Sequence, residues 1–104
     1  MASEESKFGL KIASIQKMLA IFNRKQNIKK VILYGSRAMG NYRPGSDIDL
    51  TLIGELLTME ELLKIENELD QLLLPHKIDL SLFHKIENQA LLEHIKKFGV
   101  DFSN

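Results

Sequence analysis

The stretch from Val31 to Gly54, VILYGSRAMGNYRPGSDIDLTLIG, constrains the fold more than any other part of the chain. Val31 to Tyr34 is a short apolar run that stops at Gly35-Ser36, and a second run opens at Ser46-Asp47 and continues through Ile48, Asp49, Leu50, Thr51 and Leu52. Short runs of this kind bounded by glycine and serine predict two strands. Side chains alternate along a strand, so Asp47, Asp49 and Thr51 face one way while Ile48, Leu50 and Leu52 face the other. Two carboxylates then stand about 7 Å apart at their Cα atoms. Between the strands, Asn41-Tyr42-Arg43-Pro44-Gly45 predicts a turn-rich loop in which Pro44 fixes φ.

The flanking segments predict helices and one more strand. Leu10, Ile12, Ile15, Met18, Leu19 and Phe22 recur at spacings of three and four, which predicts a helix from residue 10 that ends in the polar Asn23 to Asn27. Residues 1–9 are expected to be flexible. Met59 to Leu73 predicts a second helix with Met59, Leu62, Leu63, Leu69 and Leu73 as its buried stripe, opened by a Thr58/Glu61 capping box and stopped by Pro75. Lys77 to Leu82 repeats the acidic alternation, with Lys77, Asp79 and Ser81 on one face. A last helix is expected over 86–98 with Gly99 as its C′ cap, followed by a short edge strand at Val100 to Phe102. The expected fold is α+β: a mixed sheet of three to four strands near 30–35, 47–53 and 77–83, helices packed mainly on one face and the acids exposed on the other. If the two acidic strands are neighbours, Asp79 stands beside Asp47 and Asp49.

Composition narrows the function classes. At 104 residues the chain is expected to form a single domain, with no room for a separate substrate domain. Lys plus Arg equals Asp plus Glu, fourteen each, so no bulk basic charge argues for nucleic-acid binding. Cysteine is absent, which excludes disulfides, thiolate catalysis and zinc–thiolate sites. No apolar run approaches a membrane span and the start MASEES lacks the features of a secretory signal, so a cytoplasmic protein is expected. His76, His84 and His94 lack a metal-ligand spacing and are expected to be structural or surface residues.

Paired carboxylates on a rigid strand, with a Gly-Ser turn leading into them, suit the holding of Mg²⁺ against a nucleotide's phosphates. Mg²⁺ takes one or two protein carboxylates and completes its shell with water and phosphate oxygens. Gly35 allows close backbone approach to a phosphate, and Ser36 offers an N–H and a hydroxyl at the start of a helical turn through Arg37, Ala38 and Met39. Arg37 and Arg43 carry guanidinium groups suited to a phosphate.

With Gly35-Ser36, ten intervening residues and Asp47-Ile48-Asp49, the sequence resembles the nucleotidyltransferases of the DNA polymerase β superfamily, whose signature is a Gly-Ser or Gly-Gly pair followed by two acids around an apolar residue. GSRAMGNYRPGSDIDL is more particularly similar to the minimal nucleotidyltransferases, which are often antitoxins paired with a HEPN-type protein. The resemblance spans roughly residues 10 to 102. It implies transfer of a nucleotidyl group, AMP from ATP, to an acceptor hydroxyl, with a HEPN-type toxin as the protein that brings that hydroxyl. It implies Asp47, Asp49 and Asp79 as catalytic residues and metal ligands, Asp79 taking the place of the family's third carboxylate. It also implies two Mg²⁺ ions, for which Mn²⁺ is a chemical substitute, and Gly35, Ser36, Arg37 and Ser46 as nucleotide-binding residues. The rival expectation is a non-catalytic antitoxin or scaffold that acts by contact. Self-association into a homo-oligomer stays open.

Overall fold

The computed structural model describes residues 6–102. Along the chain come β1 (Ser6–Lys7), β2 (Leu10–Lys11), α1 (Ile12–Phe22), β3 (Lys30–Tyr34), the single turn α2 (Ser36–Met39), β4 (Ile48–Ile53), α3 (Met59–Asp70), β5 (Ile78–Leu82), a 3₁₀ turn at Phe83–Lys85, α4 (Gln89–Phe98) and β6 (Val100–Asp101). β1 and β2 form a separate two-stranded hairpin, and the other four strands form one sheet in the order β5-β4-β3-β6. β3 runs antiparallel to both β4 and β6, whereas β4 and β5 are parallel. The sheet is therefore mixed and four-stranded, as the sequence predicts, with the edge strand near residue 100 in place.

Alternation decides which face is which. Val31, Leu33, Ile48, Leu50, Leu52, Leu80 and Leu82 are buried in one cluster with Ile15, Met18 and Phe22 of α1 and Leu62, Ile65 and Leu69 of α3. Register puts Tyr34 opposite Asp49 and Asp49 opposite Asp79, so these three share the other face with Ile32, Thr51 and Ser81. α4 lies on this second face, over β3: the His94 ring meets Tyr34 edge-on at 6.1 Å, Ile95 is buried, and Gly99 sits against Ile32. Two long helices cover the apolar face, and the third covers the part of the acid face where Ile32 and Tyr34 need shelter from water. Asp47 and Asp79 stay exposed beyond it.

Local differences from expectation have local causes. Residues 6–9, expected to be flexible, form the hairpin, whose two-residue turn places Phe8 at φ 59° and Gly9 at φ 73°. Residues 1–5 lie outside the described residues. Helix α1 starts at Ile12, since Leu10 and Lys11 pair with β1. The Thr58/Glu61 capping box of α3 is present, with both reciprocal bonds made. α3 ends at Asp70, and Met59, Leu63 and Leu73 are exposed, Leu73 to 87%; the buried stripe is Leu62, Ile65 and Leu69. α4 begins only at Gln89, where the Asn88 side chain accepts from the Leu91 N–H. Gly99 is extended (φ −63°, ψ 140°) rather than left-handed, and is required for space, because a Cβ there would strike the Ile95 carbonyl and the Ile32 methyl. No helix among the described residues is long and apolar enough to cross a membrane.

Candidate active site

Parallel pairing of β4 and β5 aligns Asp49 with Asp79 on adjacent strands, and both side chains leave the same face. Asp47 lies just before β4, where the Ile48 N–H donates to the Lys77 carbonyl at 2.8 Å, so Asp79 is one strand across and two residues along from it. Strand spacing and rise make that separation about 8 Å at the Cα atoms. Asp49 is half-buried, and its carboxyl is raised above its ordinary pKa, first by burial, then by the charges of Asp79 and Asp47. Among the described residues no three His, Asp or Glu side chains close into a metal cage. The acids form an open shelf instead. An all-oxygen donor set that crowds negative charge onto one half-buried carboxyl fits a hard divalent cation such as Mg²⁺ or Mn²⁺, which needs only one or two protein carboxylates.

Tyr34 closes the shelf on the β3 side. Burial raises the pKa of its phenol; the Ser81 hydroxyl beside it works against that shift, and the charges of Asp79 and Asp49 add to it. Ser81 Oγ is itself buried and makes no hydrogen bond of acceptable geometry. The phenol therefore stays protonated, as a neutral wall next to the acids.

The Gly35-Ser36 turn faces the shelf. Gly35 has φ 76° and ψ −157°, a conformation closed to residues with a Cβ, and a Cβ there would also overlap Asp49 Oδ2. Ser36 follows as the first residue of α2, which ends at Gly40 with φ 85°. The Gly35 N–H donates to His94 Nε2 at 3.0 Å, across 59 residues of sequence. Sequence reasoning placed His94 among the structural or surface histidines and missed this contact, for which the spacing of the chain offers no signal. Gly35→Ala is expected to lose about 1–3 kcal/mol of stability from backbone strain alone, with more from displacement of Asp49. Urea unfolding measures it, and a loss below about 0.5 kcal/mol would contradict the cradle geometry.

Arg37 requires a correction. Expected to meet a phosphate, it is 2% exposed and its guanidinium is committed to backbone carbonyls: Nη1 donates to Phe8 at 2.9 Å, Nε and Nη2 to Ser46 at 3.2 and 2.9 Å, and Nη2 to Pro44 at 3.4 Å. Nη2 also lies 3.3 Å from His76 Nδ1, and Tyr42 stacks over the guanidinium at 5.2 Å. Burial and then the Arg37 charge hold the His76 imidazole below its usual pKa. Arg37 clasps the β1–β2 turn, the 40–46 loop and the approach to β5, and presents no donor to a ligand at the shelf. Ser46 accepts from the Arg43 N–H through Oγ at 2.9 Å, and its own N–H donates to the Arg43 carbonyl, so it closes the loop.

Comparison with known proteins identifies the family and the fold. Residues 16–101 match the family model described as polymerase beta, nucleotidyltransferase. A protein of Methanocaldococcus jannaschii named as a protein adenylyltransferase is 31% identical over 80 residues, 74% of this chain and 81% of that protein. Among solved structures, a toxin–antitoxin complex with AMP-PNP contains a chain that superposes with a TM-score of 0.65 at 20% identity, covering 86% of this chain and 70% of that one. A complex of the tri-AMPylated HEPN toxin of Shewanella oneidensis with its MNT antitoxin gives 0.64 at 15% identity, covering 88% and 70%. At those identities the structures show a shared fold. With the Gly-Ser turn set against the paired acids of β4 and β5 and the family model matched over most of its length, the chain belongs to the polymerase beta nucleotidyltransferase family.

Proposed function

We propose that this chain is a metal-dependent protein adenylyltransferase that moves AMP from ATP onto a hydroxyl side chain of a HEPN-type partner. The observation that carries this reading is the in-register pair Asp49–Asp79 facing the Gly35-Ser36 turn. The nucleotide in one structural neighbour and the AMPylated toxin in another support the choice of ATP and of the acceptor. Asp47, Asp49 and Asp79 would hold two Mg²⁺ ions. Bound there, the ions neutralise phosphate charge and stabilise the attacking and leaving oxygens. The acceptor oxygen bonds to the α-phosphorus, the bond to the β-phosphate bridge breaks, pyrophosphate leaves, and the hydroxyl proton passes to a carboxylate or to water. Gly35 gives the backbone room at the β- and γ-phosphates, and Ser36 donates to them through its N–H and hydroxyl. Ser46, at the mouth of β4, borders the nucleotide.

Incubation with α-labelled ATP, Mg²⁺ and the copurified partner tests the reading: label on the partner supports it, and unlabelled partner whose toxicity is nonetheless neutralised supports an antitoxin acting by contact. The exposed Leu63 and Leu73 offer surface for such contact. Ser36→Ala is expected to weaken ATP binding by about 1 kcal/mol, the worth of one hydrogen bond, and metal binding much less. Equal ATP affinity in calorimetry with Mg²⁺ present would remove Ser36 from the cradle.

A further inference from the structure

His94 reaches the Gly-Ser turn from the helix on the acid face. Its ring is held from two sides, edge-on to Tyr34 at 6.1 Å and tilted against Phe98 at 5.2 Å, so its direction is set by packing. Nε2 then accepts the Gly35 N–H at 3.0 Å, which requires that nitrogen to be unprotonated and assigns the ring proton of a neutral imidazole to Nδ1. On its other side the same glycine is bounded by Asp49, whose Oδ2 occupies the space a Cβ would need. The Tyr34–Gly35 peptide is thus fixed between an acid of β4 and a histidine of α4. The Ser36 N–H lies on the following peptide plane, so with Gly35 held at φ 76° and ψ −157° the pinned plane fixes where Ser36 points.

We propose that His94 is a positioning residue for the triphosphate: it pins the Gly35 peptide and thereby aims Ser36 at the β- and γ-phosphates. This rests on the nucleotide reading of the turn. A glycine at φ 76° has no side chain to lock it, and glycine visits several backbone basins at little cost. An acceptor delivered from a separate helix supplies the missing constraint, as pre-organisation of binding groups requires. Nothing in this role demands contact between His94 and the nucleotide.

Two substitutions separate positioning from packing. His94→Phe keeps an aromatic ring against Tyr34 and Phe98 but removes the acceptor, while His94→Gln keeps an acceptor at a similar reach. With Mg²⁺ present, His94→Phe is expected to weaken ATP binding about tenfold, on the order of one lost charge-assisted hydrogen bond to phosphate. AMP, which lacks the β- and γ-phosphates, should change less than about twofold. His94→Gln should recover most of the ATP affinity. Equal losses for ATP and AMP in His94→Phe, or a Gln variant as impaired as the Phe variant, overturn the proposal. If the folded wild type binds no ATP, the nucleotide reading itself fails, a result distinct from wild-type binding that His94→Phe leaves intact.

Discussion

Asp49→Asn is expected to leave the ligand-free chain at least as stable as wild type at neutral pH while cutting nucleotidyl transfer a hundredfold or more. The loss in rate follows from the proposed role of Asp49 as a charged oxygen ligand, whose removal is worth about 3 kcal/mol or more of transition-state stabilisation. The stability effect follows from the raised Asp49 pKa, caused by burial and then by Asp79 and Asp47. A carboxyl whose pKa is higher in the folded than in the unfolded chain holds its proton more tightly when folded. Between the ordinary value of 3.8 and the raised one, stability therefore falls as pH rises, and above that window the full penalty is present. Asparagine carries no such penalty. Its advantage in melting temperature should be largest near neutrality and should vanish as pH falls below the ordinary carboxylate range. Asp79→Asn relieves part of the same crowding and should lose activity as severely. Melts of wild type and both variants across pH, with and without Mg²⁺-ATP, check the set. A wild type that Mg²⁺-ATP does not stabilise, or an Asn variant that transfers label normally, would end the metal-shelf reading.

Arg37→Ala should destabilise the chain by about 3 kcal/mol, because it strips donors from the carbonyls of Phe8, Pro44 and Ser46 and leaves them with desolvation costs of roughly 1–3 kcal/mol each where water does not replace the guanidinium. For a domain of this size that is a drop in melting temperature of roughly 12–24 °C. Arg37→Lys should recover only a minor part, since a single ammonium on a flexible stem does not reproduce a planar fork spread over three carbonyls. ATP affinity per folded molecule should change little in the lysine variant. A lysine variant that melts like wild type but binds ATP poorly would restore the phosphate role first expected of Arg37.

What could be read from sequence follows a physical divide. The strands were legible because their pattern is local: Ile48, Leu50 and Leu52 against Asp47, Asp49 and Thr51 needs no partner to be recognised, and the Thr58–Glu61 box closes within three residues. Asp79 was legible only on condition that β5 neighbours β4, a condition the parallel register meets. The sequence pattern misplaces Leu63 because hydrophobicity alone ignores phase: Leu62, Ile65 and Leu69 lie on one side of α3, and Leu63 is turned a further 100° around it from Leu62; Leu73 is in phase with Leu69 but lies beyond the end of α3 at Asp70. The destination of Arg37 was illegible because its acceptors are backbone carbonyls, which every residue has, so no residue type marks them. The β1–β2 hairpin was hidden for a similar reason: Phe8 at φ 59° carries no turn signature, and is held by the Arg37 bond to its carbonyl and by its ring against Phe102 at 6.3 Å.

The in-step pairing of β4 with β5 gives the chain an uneven tolerance for insertions. Added residues at Leu73, which already stands in solvent, leave Asp79 in place, because burial of Leu80 and Leu82 resets the strand however long the approach becomes. One residue added between Asp79 and Leu80 has no such remedy: either the carboxylate turns into the core or both leucines turn out of it. A tag or a partner module can therefore be spliced in at Leu73, ahead of the His76 and Lys77 contacts, whereas within β5 even a single added alanine breaks the alignment on which the acid pair depends.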